Sequence, residues 1–385
     1  MARLNRALAR SEIRGSVRKR LGMTAIALCC RRMLGVAWTG LVGLYLTATI
    51  VKLRRLVIYS IPTAKRTVNF LSREVNEYDF NELFRFHKVD FYRLATAFQI
   101  PQHFKLPKGG TRPRIICFLY MLWRAAYPTT YLKDELMWGE GRGTLCEMFN
   151  LTMSCLFNNW ALYLVRDLDI GTCRAQCRRW AAVISRKGAP LERCWGFIDG
   201  TIRETCRPVR GQRGAYNGWK KLHGVKYQSI ETPDGLMRQV WGPLLCRRND
   251  NFLLAASQLI PQLREHFNSA DGLPYYLYGD PAYPKCPWML RPYKGNLTAA
   301  EREFNRRISS VRETVEWGFA KVVANWGFVD FVKQQKIRGS ACGVGKQYCV
   351  AALLTNCHTC VYGSEVSSYF DCTPPVLEEY INGHA

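Results

Sequence analysis

The stretch CWGFIDGT, residues 194–201, is a short apolar run that ends in the carboxylate of Asp199 and a glycine. A second apolar run, PYYLY at residues 274–278, is followed in the same way by Gly279 and Asp280. Both runs predict short buried strands. Because open α/β sheets keep their sites at the carboxyl ends of strands, we expect both aspartates at one edge of a sheet.

Strand and helix signals alternate around these two runs. Leu222 to Glu231 and Leu236 to Leu244 are β-rich segments joined by a turn that contains proline, aspartate and glycine. Asn251 to Phe267 is amphipathic, and Ala299 to Trp326 has the periodicity of a long helix. The order of three strands, a helix, a strand and a helix predicts an α/β fold with a mixed sheet and flanking helices.

The sequence upstream of the sheet, from about Asn76 to Ser185, predicts helices. Tyr131 to Trp138 and Leu145 to Val165, the second with Thr144 as its N-cap, have the outline of a helix-turn-helix. The start of the second helix, LCEMFNLTMSCLF, contains neither arginine nor lysine, so an ordinary helical packing unit remains the alternative. We therefore expect an all-α domain at residues 67–188, ahead of the sheet.

The composition favours a folded intracellular protein with a polyanionic partner. The chain has 385 residues, 48% of them hydrophobic, and a formal net charge of +25. Nucleic acid is the first candidate partner and an anionic membrane surface the second. The 16 cysteines are scattered without a repeated spacing, which predicts reduced thiols and not a secreted disulfide scaffold. Cys173 with Cys177 and Cys357 with Cys360 have spacings that zinc could use, but neither has an evident second pair.

Residues 1–66 form a basic N-terminal extension with 14 basic residues and one acid, Glu12. Within it, residues 33–51 carry no charge and are long enough to span a bilayer. Glycines and threonines dilute this segment, and both flanks are basic, so membrane association is not the favoured interpretation. A targeting peptide, a nuclear-localisation signal and a DNA-contacting arm all remain open for the extension.

Three acids have the properties that two-metal phosphodiester chemistry needs. Asp199 and Asp280 each follow an apolar strand, and Glu316 lies in the middle of the long helix. An aspartate before a glycine is often a turn residue, and a helical glutamate is usually solvated, so each acid alone has an ordinary interpretation. Together, carboxylates that converge on one point could hold Mg²⁺ or Mn²⁺ and clamp the attacking and leaving oxygens.

The chain resembles the PIF/Harbinger-type DDE transposases and the domesticated nucleases related to them. The resemblance is carried by CWGFIDGT, YGDPAYP and SSVRETVEWGFAK, and it extends over roughly residues 193–363. It implies an RNase H-like nuclease domain at 189–363 with a C-terminal tail at 364–385, and Asp199, Asp280 and Glu316 as a triad holding two Mg²⁺ or Mn²⁺ ions for DNA cutting. Nuclear localisation, a Myb-like DNA-binding partner protein and homo-oligomers are further implications. One departure is Asn249, where relatives usually have histidine.

Basic and aromatic residues near these acids are candidates for DNA contact. The candidate DNA-binding residues are Lys220, Lys221, His223, Lys226, Arg248 and Arg312. A basic solvated hairpin is the alternative for residues 220–226, and Arg312 could either orient Glu316 or bind a phosphate.

Three functions stay open at this point. The first is an active transposase-derived nuclease. The second is a DNA- or chromatin-binding protein that has lost turnover, and the third is a membrane-tethered protein that uses residues 33–51 as its anchor.

Overall fold

The computed structural model describes residues 70–71, 75–166, 168–337 and 343–383. The N-terminal extension, with its apolar segment at residues 33–51, lies outside the described residues. Within the described part of the chain, no helix combines the length and the apolar character that crossing a membrane requires.

The described elements are mainly helices before Cys194, and strands and helices alternate from there to Leu290. The strands are β1 (His103–Lys105), β2 (Thr111–Pro113), β3 (Cys194–Glu204), β4 (Tyr216–Asn217), β5 (Leu222–Glu231), β6 (Met237–Leu245), β7 (Tyr276–Gly279) and β8 (Met289–Leu290). The helices are α1 (Glu77–Phe84), α2 (Lys88–Ala97), α3 (Arg114–Ala126), α4 (Tyr131–Trp138), α5 (Arg142–Leu156), α6 (Leu162–Arg166), α7 (Ile170–Arg186), α8 (Gln212–Ala215), α9 (Asp250–Ala256), α10 (Leu259–His266), α11 (Ala299–Asn325), α12 (Val344–Tyr362), α13 (Glu365–Phe370) and α14 (Leu377–Asn382).

The larger sheet is mixed, as the sequence predicted. Its strands lie in the order β4, β5, β3, β7, β8, and β6 also pairs with β5. β5 is antiparallel to both β3 and β6, whereas β7 is parallel to β3 and β8 is parallel to β7. The mixed α/β fold class is therefore confirmed.

The central strand β3 continues beyond the residue at which the sequence placed its end. Its parallel pairing with β7 stops at Ile198 opposite Gly279, while its antiparallel pairing with β5 continues to Glu204. Asp199 is therefore inside a strand, opposite Ser229, and not at a strand terminus. It is nevertheless the first β3 residue beyond the β7 pairing, which leaves space on that side of the strand.

The long helix α11 begins with a capping box and packs against the sheet. The side chain of Thr298 accepts a hydrogen bond from the backbone of Glu301, and the Glu301 side chain accepts one from the Thr298 backbone. This reciprocal pair satisfies backbone donors that a helix start leaves free. Val311, Val315 and Phe319 recur at helical spacing and are buried, which directs one face of α11 to the core.

Residues 67–188 are not all-α, which corrects the expectation from the sequence. His103–Lys105 and Thr111–Pro113 form a two-stranded antiparallel ribbon, because Gly109 and Gly110 both adopt positive φ angles and allow a tight reversal. The helices around the ribbon share one buried apolar core with the sheet and with Val344–Tyr362. The division at residue 188 stays a prediction.

Two predicted helices differ from those observed. The helix expected from Leu145, with Thr144 as its N-cap, begins at Arg142 after Gly141 and is interrupted by a π-helical turn at Phe157–Ala161. Five of its apolar residues, Leu145, Met148, Phe149, Met153 and Leu156, are buried.

The single helix expected over residues 251–267 is two helices, α9 and α10, with Gln258 between them at φ 52°. Pro261 explains this break, since it has no N–H to donate to the carbonyl of Ser257.

Candidate active site

A polar cleft opens where β3 continues past the end of β7. Its volume is about 630 Å³, which is within the range of small-ligand sites. The charged residues that line it are Asp199, Asp250 and Asp280 together with Lys220, Lys226, Arg247, Arg248 and Arg312. The cleft therefore places acidic groups among a larger number of basic ones.

Asp199 is held by hydrogen bonds on both carboxylate oxygens. Its Oδ1 accepts from the backbone N–H of Gly200 at 2.8 Å, and its Oδ2 accepts from Nη2 of Arg312 at 3.2 Å. Burial nonetheless raises the pKa of Asp199, and the nearby carboxylates of Asp280 and Asp250 add to that effect. A site that disfavours a negative charge in this way gains when a cation binds.

Asp280 follows β7 directly, and a tight turn fixes it. Its Oδ1 accepts from the N–H of Ala282 at 2.8 Å, and its carbonyl accepts from the N–H of Tyr283 at 3.2 Å. The glycine before it is required by packing, because a Cβ on Gly279 would lie 2.8 Å from the Tyr283 ring and 2.9 Å from Ile198. The sequence pattern Gly-Asp thus brings Asp280 to the same cleft as Asp199.

The buried hydroxyl of Tyr283 has no hydrogen-bond partner among the described residues. Burial raises its pKa well above the usual value, and the carboxylates of Asp250, Asp199 and Asp280 act on it in the same direction.

Asp250 is an acidic residue of the cleft that was not predicted from the sequence. It starts α9, and its Oδ1 lies 2.8 Å from the ammonium of Lys226. Asn249 caps this helix by accepting a hydrogen bond from the N–H of Phe252 at 2.9 Å. Asn249 therefore orients the helix start that carries Asp250. Asn-Asp before an apolar run is typical of a helix N-terminus, so the sequence indicates the helix start but does not mark Asp250 as a residue of the cleft.

Glu316, the third acid predicted from the sequence, is exposed on α11 and is not one of the described residues that line the cleft. Arg312 lies one turn before it and contacts Asp199 instead of Glu316. Among the residues that the structure describes, no group of three or more histidine, cysteine, aspartate or glutamate side chains is arranged to hold a metal ion. The structure thus brings together Asp199 and Asp280 and leaves Glu316 apart.

The predicted DNA-contacting residues fall into three groups. Lys220 and Arg248 are exposed at the cleft, and Arg312 reaches into it. Lys226 is only 8% exposed and is paired with Asp250. Lys221 is exposed and His223 is partly buried, with its ring 5.2 Å from that of Tyr216, and neither is among the residues that line the cleft.

The cysteines described by the structure are free thiols, and each is buried or partly buried. Burial raises the pKa of Cys357 well above its usual value and that of Cys360 to about 12. Thiols with raised pKa values are poor nucleophiles and poor metal ligands at neutral pH. Both lie in α12, with Cys357 buried and Cys360 partly buried, and packing thiols stay the preferred interpretation.

The donor set of the cleft suits a hard divalent cation. Mg²⁺ is usually held by one or two carboxylates, with water and phosphate oxygens completing its shell. Asp199 and Asp280 supply two such carboxylates, and the raised pKa of Asp199 shows that its surroundings disfavour an uncompensated negative charge. The residues therefore fit a divalent metal.

The fold and the cleft define an α/β protein in which aspartate carboxylates lie close together among basic side chains. Residues 198–356 match the model of a family described as DDE superfamily endonuclease. The matched part of the chain contains Asp199, Asp250 and Asp280 of the cleft together with α11, and the match agrees with the resemblance found in the sequence.

A curated relative, "Protein ALP1-like" from Arabidopsis thaliana, is 33% identical over 58 residues. That alignment covers 15% of this chain and 14% of the relative. No solved structure matches the chain.

Proposed function

We propose that the protein is a divalent-metal-dependent DNA endonuclease of the PIF/Harbinger transposase type. The observation that carries the proposal is the meeting of Asp199 and Asp280 in one basic cleft, within the segment that matches the endonuclease family. The sheet, in which β6, β5 and β3 are antiparallel neighbours and β7 and β8 continue parallel to β3, supports an RNase H-like fold for this domain.

Asp199 and Asp280 are the residues that would hold the metal. A bound Mg²⁺ or Mn²⁺ supplies Lewis-acid polarisation of a phosphoryl oxygen and lowers the pKa of a bound water. Two ions and strand transfer in addition to hydrolysis are part of the proposal. Glu316 is the third acid of the proposed set, on the basis of its position in the sequence motif.

The basic residues of the cleft have separate roles in the proposal. Lys220, Arg247 and Arg248 are exposed and can contact backbone phosphates without reading sequence. Arg312 already holds the Asp199 carboxylate, so it neutralises the site before a metal and a phosphate enter. Lys226 likewise neutralises the carboxylate of Asp250.

Nicking of supercoiled plasmid by the full chain, in Mg²⁺ or Mn²⁺, tests the proposal. We expect the wild type to nick and Asp280→Asn to lose at least about 100-fold of the rate, since a ligand of the metal is removed. Asp371→Asn is the matched control, because Asp371 is exposed at a helix end with φ 50°, where asparagine is equally well accommodated. Equal nicking by wild type and Asp280→Asn would reject the assignment.

A second candidate function is DNA binding without turnover. It is favoured by the ion pairs of Asp199 with Arg312 and of Asp250 with Lys226, together with the exposed position of Glu316. Tight, salt-dependent binding to DNA, without cutting in either metal, would select this function. For the location in the cell we propose the nucleus, which imaging of the full chain fused to a fluorescent protein tests. A Myb-like partner and a homo-oligomer are proposals that co-purification and light scattering address.

A further inference from the structure

Trp219 is an exposed indole at the edge of the basic cleft. It lies in the turn between β4 and β5, its side chain is 91% exposed, and it lines the cleft that contains Asp199 and Asp280. A tryptophan has one of the largest apolar surfaces of any side chain, and burying it in a contact is strongly favourable. Its position indicates that a flat apolar group covers it when the cleft is occupied.

The turn that carries Trp219 is ordered by its own hydrogen bonds. Asn217 Oδ1 accepts from the N–H of Lys220 at 2.9 Å, and Asn217 Nδ2 donates to the carbonyl of Cys246 at 3.0 Å. Lys221 adopts φ 55° and closes the turn before β5. The chain on both sides of the indole is therefore fixed, and binding does not have to order it.

The charge around Trp219 selects the kind of partner. Lys220 and Lys221 follow it directly, and Arg247 and Arg248 line the same cleft, all four of them exposed. Exposed cations beside an exposed aromatic ring fit a phosphate backbone with a base stacked on the ring. An apolar protein surface would instead leave these cations without a counter-charge.

A base in an intact duplex is not available to this indole. Each paired base is already stacked between its neighbours, and only its edges are open in the grooves. A side chain can stack on a base only where that base has left the helix or was never paired.

We propose that Trp219 stacks on an unpaired base next to the phosphate that enters the cleft, so that the substrate is DNA locally opened at the cut site. This proposal rests on the proposed function, because it requires DNA as the ligand. It defines the substrate class more narrowly, as duplex with an unpaired or extruded base and not uniformly paired duplex.

Binding of the full chain to two duplexes that differ at one position only tests the proposal. One duplex is fully paired, and the other has a single unpaired 2-aminopurine. The measurement is fluorescence anisotropy in EDTA, so that no cutting is needed. Stacking on one base is worth about 1–3 kcal/mol, which predicts a preference of roughly 5-fold to 150-fold for the opened duplex. Quenching of the 2-aminopurine should accompany binding by the wild type.

Variants separate the role of Trp219 from a general loss of affinity. Trp219→Ala should bind both duplexes equally and leave 2-aminopurine bright, whereas Trp219→Phe should keep part of the preference. Tyr78→Ala, which removes a 73% exposed aromatic ring from α1, should keep all of it. Lys220→Ala should weaken both complexes to the same extent.

The outcomes distinguish the two proposals. Binding of both duplexes with equal affinity by the wild type, or an unchanged preference in Trp219→Ala, overturns the inference and leaves the proposed function standing. If the wild type binds neither duplex, the inference is overturned, and the proposal that DNA is the substrate is rejected as well.

Discussion

Replacing Arg312 with glutamine tests whether this side chain acts as a substitute cation at Asp199. Arg312 Nη2 lies 3.2 Å from Asp199 Oδ2, and the two side chains are 25% and 16% exposed. At an effective dielectric of about 20, unit charges roughly 4 Å apart attract by about 4 kcal/mol. Solvent contact and the cost of desolvating both groups reduce the net value, so we expect Arg312→Gln to lose about 1–3 kcal/mol of unfolding free energy.

The loss should depend on divalent cation. A cation that binds only the folded state stabilises it by RT ln(1 + c/Kd), where c is the cation concentration, so tighter binding gives a larger stabilisation. In the absence of Arg312 the cation no longer competes with the guanidinium for Asp199. Mg²⁺ should therefore raise the unfolding free energy of Arg312→Gln more than that of the wild type. DNA affinity should fall in the same variant, because a cation at the cleft is gone.

Urea unfolding at neutral pH, with and without Mg²⁺, measures both effects. Arg302→Gln is the matched control, because Arg302 is exposed near the start of the same helix. It should keep the wild-type unfolding free energy and gain no more from Mg²⁺ than the wild type does. If Mg²⁺ raised the free energy of unfolding equally in the wild type and in Arg312→Gln, Arg312 and the metal would not compete for Asp199.

Two further predictions concern stability. Asp134 is 1% exposed, and its carboxylate pairs with Arg124 at 2.8 Å. Asp134→Ala removes the counter-charge of a buried cation, so we expect the free energy of unfolding in urea to fall by about 3–5 kcal/mol. A fall below about 1 kcal/mol would contradict this. Burial, with help from nearby basic side chains, lowers the pKa of His358 to about 3, so the folded state holds it neutral while the unfolded chain takes up a proton below pH 6.5. The free energy of unfolding should therefore fall with pH, by up to about 2 kcal/mol between pH 6.5 and 5. His358→Phe keeps the ring contacts with Phe86 and Tyr362 and should remove this part of the dependence of stability on pH. If wild type and His358→Phe lost stability equally between pH 6.5 and 5, burial of His358 would not be the cause.

Four strands of the larger sheet, β3, β5, β6 and β7, and the two aspartates could be predicted from local sequence because their signals are local. β5 has the bounds expected for it, Leu222–Glu231, since a β-rich run there ends at a turn containing proline and glycine. Asp199 and Asp280 each follow an apolar run, and parallel pairing of β3 with β7 brings the two runs side by side. Periodicity likewise located α11 to within one residue, at Ala299–Asn325.

The parts that could not be predicted depend on pairing across the chain. The continuation of β3 past Asp199 needs the partner strand β5, which local patterns do not reveal. The role of Asp250 depends on its meeting Lys226, 24 positions away, so nothing near Asp250 in sequence distinguishes it from an ordinary helix start. The same holds for Arg312, whose partner is Asp199 and not the neighbouring Glu316.

Mapping the metal position by Fe²⁺-directed cleavage of the protein backbone is the most direct test of whether Asp199 and Asp280 hold one divalent cation together. Fe²⁺ bound in place of Mg²⁺, with ascorbate and peroxide, cuts the chain beside its own ligands. We expect cuts next to residues 199 and 280 that excess Mg²⁺ suppresses and that Asp199→Asn abolishes, and a cut next to Glu316 would add the third acid. Cuts that avoid both aspartates, or that excess Mg²⁺ leaves unchanged, would contradict the account.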